Sequence, residues 1–446
     1  MEDHDTGAGA PEVGVSRASP PSGGPSPSAG RPRQAGPQSG NGQAGDAQQQ
    51  RGKARKRRKR RRGRKVFARD ELAVSAHLVA AGPPAVSIAP TPVAAPPAAQ
   101  PRPEQSVQRP PMQELPVFAA LDLGTNNCRL LVAVPQRHGQ FRVIDAFSRI
   151  VRLGEGLTAN GHLSRAAMDR AVEALKICGD KLRNRKIRKA RLIATEACRT
   201  ADNGVEFLQR VEREAGLRLE IIDRQTEARL AVSGCGSLVE RDTQGVVLFD
   251  IGGGSSEIAL IDLTGQRSPR LANHIVSWTS LPVGVVSLAE RFGGRTVTRE
   301  IFAAMVEDVA VRLRSFDGRD RLSHVLASPK FHLLGTSGTV TTLAGVHLDL
   351  ERYDRRRVDG LWMDRDSVDR MVEKLVGWDF QQRCANPCIG ADRADLVLAG
   401  CAILEAIRAV WPSERLRVAD RGLREGILSE LMADDGVWRN SGRGRA

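Results

Sequence analysis

One short unit occurs twice in this chain, and it restricts the fold more than any other feature. Ala120-Leu-Asp-Leu-Gly-Thr-Asn126 closes an apolar run with an acid and a glycine, and Arg129-Leu-Leu-Val-Ala-Val134 then returns as a second apolar run. About 128 residues later, Val246-Val-Leu-Phe-Asp250-Ile-Gly-Gly-Gly-Ser-Ser256 repeats the pattern and runs into Glu257-Ile-Ala-Leu-Ile261. Short apolar runs broken by glycine read as strands joined by tight turns. A repeated strand, acid, glycine turn and strand predicts an internal duplication, with two similar domains facing a shared cleft.

The residues between the two units supply helices. Ser164 is placed to cap a helix whose apolar positions Met168, Val172, Leu175, Cys178 and Leu182 keep helical spacing. Arg191-Leu-Ile-Ala-Thr-Glu196 reads as a strand running into a loop, and Leu219-Glu-Ile-Ile-Asp223 as another strand. Strands alternating with helices predict an α/β fold.

Order is expected to begin only near residue 116. Of the 24 prolines, 18 precede residue 117, and residues Arg51 to Lys65 carry 12 Lys and Arg with no acid. The formal net charge of +15 is therefore mostly the property of one short run. Residues 1–115 read as a Pro/Gly-rich disordered arm, because such a segment buries too little apolar surface to offset its ordering entropy. The run 51–65 suits a polyanion, either RNA, DNA or an inorganic polymer, with simple solubilisation as the alternative. The expected domains are residues 116–225, completed by a C-terminal segment near 422–434, and residues 226–421.

No apolar run approaches 18 residues and the chain opens Met-Glu-Asp-His-Asp, so neither a membrane span nor a secretory leader is expected. Seven scattered cysteines without a CxxC pair predict reduced thiols and a cytoplasmic protein rather than a disulfide framework or zinc site.

Three glycine-bearing turns follow apolar strands: Asp122-Leu-Gly124-Thr125-Asn126, Gly252-Gly253-Gly254-Ser255-Ser256 and Gly335-Thr336-Ser337-Gly338-Thr339. Glycine lets backbone N–H groups approach an oxyanion, and flanking hydroxyls add donors, so the three together predict a phosphate cradle. Each alone could be an ordinary tight turn. Asp122, Asp250 and Glu257 lie on or beside these turns as oxygen ligands for magnesium or another divalent cation, the alternative being carboxylates that brace their own loops. Arg129 and Arg199 follow two of the segments and could fork onto phosphate, or form surface salt bridges.

Eight motifs in order carry a resemblance. They are Leu-Asp-Leu-Gly-Thr-Asn (121–126), Gly-Glu-Gly-Leu (154–157), Ala-Thr-Glu-Ala-Cys-Arg (194–199), Glu-Ala-Arg-Leu (227–230), Asp-Ile-Gly-Gly-Gly-Ser-Ser-Glu (250–257), Ser-Leu-Pro-Val-Gly (280–284), Gly-Thr-Ser-Gly-Thr (335–339) and Gly-Leu-Arg-Glu-Gly (422–426). From about Val117 to Leu431 the chain resembles the Ppx/GppA phosphatases, the exopolyphosphatases and guanosine pentaphosphate (pppGpp) phosphohydrolases. The resemblance implies duplicated actin-like, ribonuclease-H-like domains with an interdomain active site. It also implies Glu227 as the base that activates water, Asp250 and Glu257 as metal-linked acids, and a homodimer. Glu196 is a second candidate base from its sequence position.

There are departures. Asn127-Cys128 stands where many relatives carry Ser-Phe, Ser256 replaces a common Thr, and the sequence runs only about 20 residues past Arg-Glu-Gly, implying the short two-domain form. The implied activity is release of terminal phosphate from inorganic polyphosphate, with guanosine pentaphosphate as the alternative substrate. An actin-like kinase and a nucleic-acid-binding regulator are further alternatives.

Overall fold

The computed structural model describes residues 115–137 and 139–438, all within one compact unit, Pro103–Ala446. The arm before residue 115 and the basic run 51–65 lie outside the described residues.

Two mixed sheets organise the described chain. In the first, β1 (Val117–Leu123), β2 (Asn127–Pro135) and β3 (Phe141–Ile150) form an antiparallel meander, and β4 (Ile187–Ala194) and β5 (Glu220–Ile221) extend it in parallel on the other side of β1. In the second, β6 (Gly245–Ile251), β7 (Ser256–Asp262) and β8 (Ile275–Leu281) repeat the meander. Next to β6, β9 (Phe331–Thr336) and β11 (Arg415–Ala419) add in parallel, and β10 (Trp362–Asp364) closes the edge. The orders β3-β2-β1-β4-β5 and β8-β7-β6-β9-β11 coincide, so the duplication in the sequence is a duplication of topology. The fold is α/β, as expected.

The helix Arg165–Arg183 starts at Ser164, whose hydroxyl accepts from the Ala167 N–H at 3.2 Å. It covers one face of the first sheet, where Leu121, Leu130, Val172, Leu175 and Phe207 are buried together. The other face, built by Phe118, Leu131 and Ile193, meets two helices, Arg224–Cys235 and Leu423–Asp434, through Leu230, Ile427 and Leu428. Each such side chain contributes roughly 1.5–3 kcal/mol of transfer free energy. Phe249, Met305 and Trp411 anchor the larger core of the second sheet.

Those two helices come into backbone contact. A Cβ on Gly426 would stand 2.0 Å from the Leu230 carbonyl oxygen, and one on Gly234 1.9 Å from that of Gly422. Glycine at both positions permits the approach, which fixes the helix carrying Glu227 against the helix carrying Arg424. The strand expected over 219–223 is shorter, because the Asp223 carboxylate leaves it to cap the next helix, accepting from the Thr226 N–H at 2.7 Å. The third strand of each meander, β3 and β8, is absent from the sequence reading. Both carry mostly half-buried or exposed residues without clean alternation.

All seven cysteines are free thiols. Among the described residues no helix is long and apolar enough to cross a membrane.

Candidate active site

The two hairpins present their polar ends in register. Asp122 on β1 lies directly opposite Arg129 on β2, and Asp250 on β6 directly opposite Glu257 on β7. Opposed residues on antiparallel strands share a face with Cβ atoms about 5 Å apart. The duplicated position thus holds a cation in one sheet and a second acid in the other. Both hairpin turns line a single cleft of about 650 Å³.

The turns also meet each other. A Cβ on Gly253 would stand 2.9 Å from Thr125 Cβ, and one on Gly254 2.9 Å from Thr125 Oγ1. Thr125 therefore fits only against bare backbone. Beside it, the Oδ1 atoms of Asn126 and Asn127 are buried without a hydrogen-bond partner, and both residues line the cleft.

The third turn is held in an unusual conformation. Ser337 has φ +76°, which a side chain adopts only under strain. It caps the helix Gly338–His347 and turns the first backbone groups of that helix to the cleft. Donors at a helix start favour an anion.

The acids repel one another. Burial lifts Asp250 to about 6, with the Asp122 charge adding to the rise and Arg129 opposing it. Burial and then Asp250 lift Glu257 to about 7, against hydrogen bonds donated to its Oε1 by Ser255 Oγ (2.7 Å) and Ser280 Oγ (2.9 Å). Burial raises Asp122 as well. Glu227, in the first turn of the helix Arg224–Cys235, is pushed well above the usual carboxylate range by burial and then by Glu257, while Arg199 pulls it back. Burial penalises the charged form, and neighbouring like charges add to the penalty.

Arg199 Nη2 donates to Glu227 Oε2 at 2.9 Å and leaves Oε1 without a protein partner among the described residues. The remaining Arg199 donors go to Glu196 Oε2 (3.0 and 2.6 Å) and the Ile222 carbonyl (2.5 Å). Arg224 holds Glu196 from its other side, at 2.7 and 3.2 Å. Burial would raise Glu196, but these two guanidiniums bring it below its ordinary value. Glu196 is thus fully engaged, whereas Glu227 has an oxygen to offer.

Arg129, expected from the sequence, lines the cleft together with Arg393 and Arg424, which were not singled out there, and none of the three forms an ion pair within 4 Å among the described residues. Burial pushes the Arg424 guanidinium down. Arg424 belongs to the Gly-Leu-Arg-Glu-Gly segment, and the signal available was an arginine one residue inside a helix start between two glycines. Arg355 and Arg421 also line the cleft, but they are tied to Glu425 and Asp359.

Not every expected phosphate contact reaches the cleft. Arg199 stands behind Glu227. Ser256 is fully buried, and its Oγ donates to the Val283 carbonyl at 2.7 Å, which ties β7 to the Leu-Pro-Val segment. Gly335 is buried in β9, where a Cβ would meet Phe249 Cζ at 2.6 Å. Thr339 packs on the helix Val397–Val410, its Oγ1 2.3 Å from a Cβ built on Gly400. Thr336 lines the cleft, but its hydroxyl donates to the Arg421 carbonyl at 2.6 Å. Gly124, Thr125, Asn126, Gly253, Gly254, Ser255, Ser337 and Gly338 do line the cleft.

Eight carboxylates line this cleft against five guanidiniums, an arrangement that rejects an anion unless a cation or protons offset the excess. Among the described residues no group of three or more His, Cys, Asp or Glu is gathered tightly enough to hold a metal alone. Asp122, Asp250 and Glu257 with the free Asn126 and Asn127 oxygens form an all-oxygen set. Such a set fits a hard divalent cation that takes one or two carboxylates and completes its shell with water and phosphate.

The model of the Ppx/GppA phosphatase family matches residues 132–434. A Haemophilus influenzae protein named “Putative exopolyphosphatase” is 28% identical over 327 residues, which are 70% of this chain and 91% of that protein. The crystal structure of the Aquifex aeolicus family member is 27% identical and superposes with a TM-score of 0.57, covering 72% of this chain and 99% of that one. An exopolyphosphatase from Cytophaga hutchinsonii shares the fold at 23% identity and a TM-score of 0.62, over 71% of this chain and 98% of its own. The chain belongs to the Ppx/GppA phosphatase family.

Proposed function

We propose that this Ppx/GppA phosphatase removes the terminal phosphate from inorganic polyphosphate, with Glu227 delivering the attacking water. The observation that carries the reading is the pairing of a buried carboxylate, one oxygen fixed by Arg199, with three arginines in the same cleft, the other carboxylate oxygen and the three arginines having no hydrogen-bond or acid partner among the described residues. Phosphoryl transfer to water needs positioning and charge stabilisation more than covalent chemistry. Arg129 and Arg424 neutralise the phosphate oxygens, while the backbone donors around Gly252–Gly254 and Ser337–Gly338 hold them. Arg393 extends this cationic lining for the next phosphates of the chain.

Glu227 Oε1 takes a proton from water, and the oxygen attacks the terminal phosphorus in line with the bridging oxygen. The phosphorus–oxygen bond to the chain breaks, and the shortened chain keeps the bridging oxygen and both electrons. The raised proton affinity of Glu227 makes it a stronger base than an ordinary carboxylate. Asp250 and Glu257, with Asp122 nearby, would hold a divalent cation such as magnesium, which supplies charge neutralisation to the phosphates when bound. On this reading residues 116–225 with 422–434 form one actin-like domain and residues 226–421 the other. The packing of helix Leu423–Asp434 on Phe118 and Ile193 supports that division.

A second substrate has one specific observation behind it. Phe147 and Tyr353 line the cleft, and an aromatic ring there is a surface on which the base of guanosine pentaphosphate could stack. Phosphate release from the two substrates, measured side by side with magnesium, decides between them. Release from polyphosphate alone supports the first reading, and release confined to the nucleotide replaces it with the second.

A further inference from the structure

We infer that Glu196 is a positioning residue, acting through Arg199 to orient Glu227, and that Arg199 serves this chain of contacts rather than the substrate phosphates. The inference rests on Glu227 being the base. It starts from the geometry of one helical turn. Glu196 and Arg199 are three residues apart on the helix Glu196–Thr200, which follows β4 directly, so the two side chains lie on the same face. Arg199 grips Glu196 Oε2 with both Nε and Nη2, and its Nη1 reaches the Ile222 carbonyl just ahead of the helix that carries Glu227. The guanidinium plane is thereby fixed from two sides. Only then does Nη2 point at Glu227 Oε2, at 2.9 Å.

A planar fork with several fixed donors is suited to this task, and a single ammonium is not. Arg224 completes the arrangement by occupying Glu196 Oε1, so Glu196 cannot itself swing round to act as a base. Glu196 is only 6% exposed and Glu227 8%. Moving Arg199 onto a phosphate would strand the buried Glu227 carboxylate and leave Glu196 to Arg224 alone, an outcome the fold resists because a buried charge without its partner is costly. The result is a relay of position, from Glu196 to Arg199 to Glu227, that leaves Glu227 Oε1 aimed at the cleft.

The test uses the full chain with magnesium and long-chain polyphosphate. Glu196→Gln keeps the acceptor shape but weakens the grip on Arg199, and it should lower kcat by about 10- to 100-fold with KM within about threefold, as for a misplaced catalytic group. In a Glu227→Gln background the same substitution should cost less than about twofold more, because residues acting as one unit are not additive. Arg199→Lys, which cannot touch both carboxylates and the carbonyl together, should give the same loss confined to kcat, and it decides the matter if Glu196→Gln melts too low to assay. A rise in KM with kcat unchanged would place Arg199 on the phosphates and overturn the inference. So would a multiplicative loss in the double variant, or an unchanged kcat. If Glu227→Gln alone keeps wild-type kcat, the base assignment falls and this inference with it. If Glu227→Gln is inactive while Glu196→Gln keeps wild-type kcat, only this inference falls.

Discussion

Replacing Glu257 with glutamine should stabilise the magnesium-free protein while removing its activity. The fold raises the Glu257 carboxyl from 4.5 to about 7, through burial and then the nearby Asp250 charge. At 1.36 kcal/mol for each pH unit of displacement, holding this group ionised costs the folded state about 3 kcal/mol. The sign follows from proton linkage. The folded state binds this proton more tightly than the unfolded chain does, so the cost is complete above pH 7, shrinks as pH falls towards 4.5, and is absent below that. Glutamine carries no charge, and its side-chain oxygen still accepts from Ser255 and Ser280, which now donate to Oε1. With a chelator at pH 8, Glu257→Gln should therefore melt on the order of 5 °C above wild type. At pH 4.5 the two should melt together, and magnesium should raise the wild-type melting point more than that of the variant. Thermal melts at the two pH values decide the point. Equal stabilisation at both would assign the gain to packing, and no gain at pH 8 would refute the account of a cleft under carboxylate repulsion.

Three further outcomes follow from the same geometry. Gly253→Ala sets a Cβ 2.9 Å from Thr125 Cβ and 3.2 Å from the Asn126 nitrogen, so it should cost about 1–3 kcal/mol and lower kcat/KM at least tenfold. Gly377→Ala, with nothing within 4 Å of the added Cβ, is its neutral control in melts and kinetics. On the proposed function Arg424→Gln would remove a charged phosphate contact worth about 1.5–3 kcal/mol and should raise KM for polyphosphate roughly 10- to 100-fold. Arg152, at φ +47°, forks onto Asp395 (2.9 and 3.0 Å) and the Asp392 carbonyl (2.9 Å), joining the loop after β3 to the segment before the helix Val397–Val410. The pair is partly exposed and worth about 1 kcal/mol or less, so Arg152→Ala should barely change the melting point but should widen the scattering profile and raise KM a few-fold.

The fold was legible where backbone geometry demands particular residues. The two strand, acid and glycine units announced the duplication; Gly253 and Gly254 lie where Thr125 leaves no room for a side chain and Gly335 where the Phe249 ring does, whereas a Cβ on Gly124 would meet nothing closer than 3.6 Å. The β3 and β8 strands were not legible, since half-exposed strands are set by pairing with β2 and β7 rather than by their own pattern. Within the site, the positions on the turns read correctly as neighbours, but their direction did not. Ser256 and Thr339 stand one residue from lining positions, and whether a hydroxyl faces the cleft or the core depends on strand register and helix phase that no motif states. Arg199 shows the same gap. Its type and place suggested phosphate, and only the packing of the helix Glu196–Thr200 beside Ile222 shows that its donors are already engaged. Arg424 was overlooked for the opposite reason, because its segment lies about 170 residues beyond the second hairpin and reaches the cleft only through the Gly234–Gly426 crossing.

The most direct measurement is phosphate release from long-chain polyphosphate, with magnesium, by wild type and Glu227→Gln. Glutamine keeps the contact with Arg199 but cannot accept the proton from water. The account predicts that kcat falls by about 10²- to 10⁴-fold, the usual contribution of a positioned base, with KM little changed. A variant that releases phosphate at the wild-type rate would contradict it.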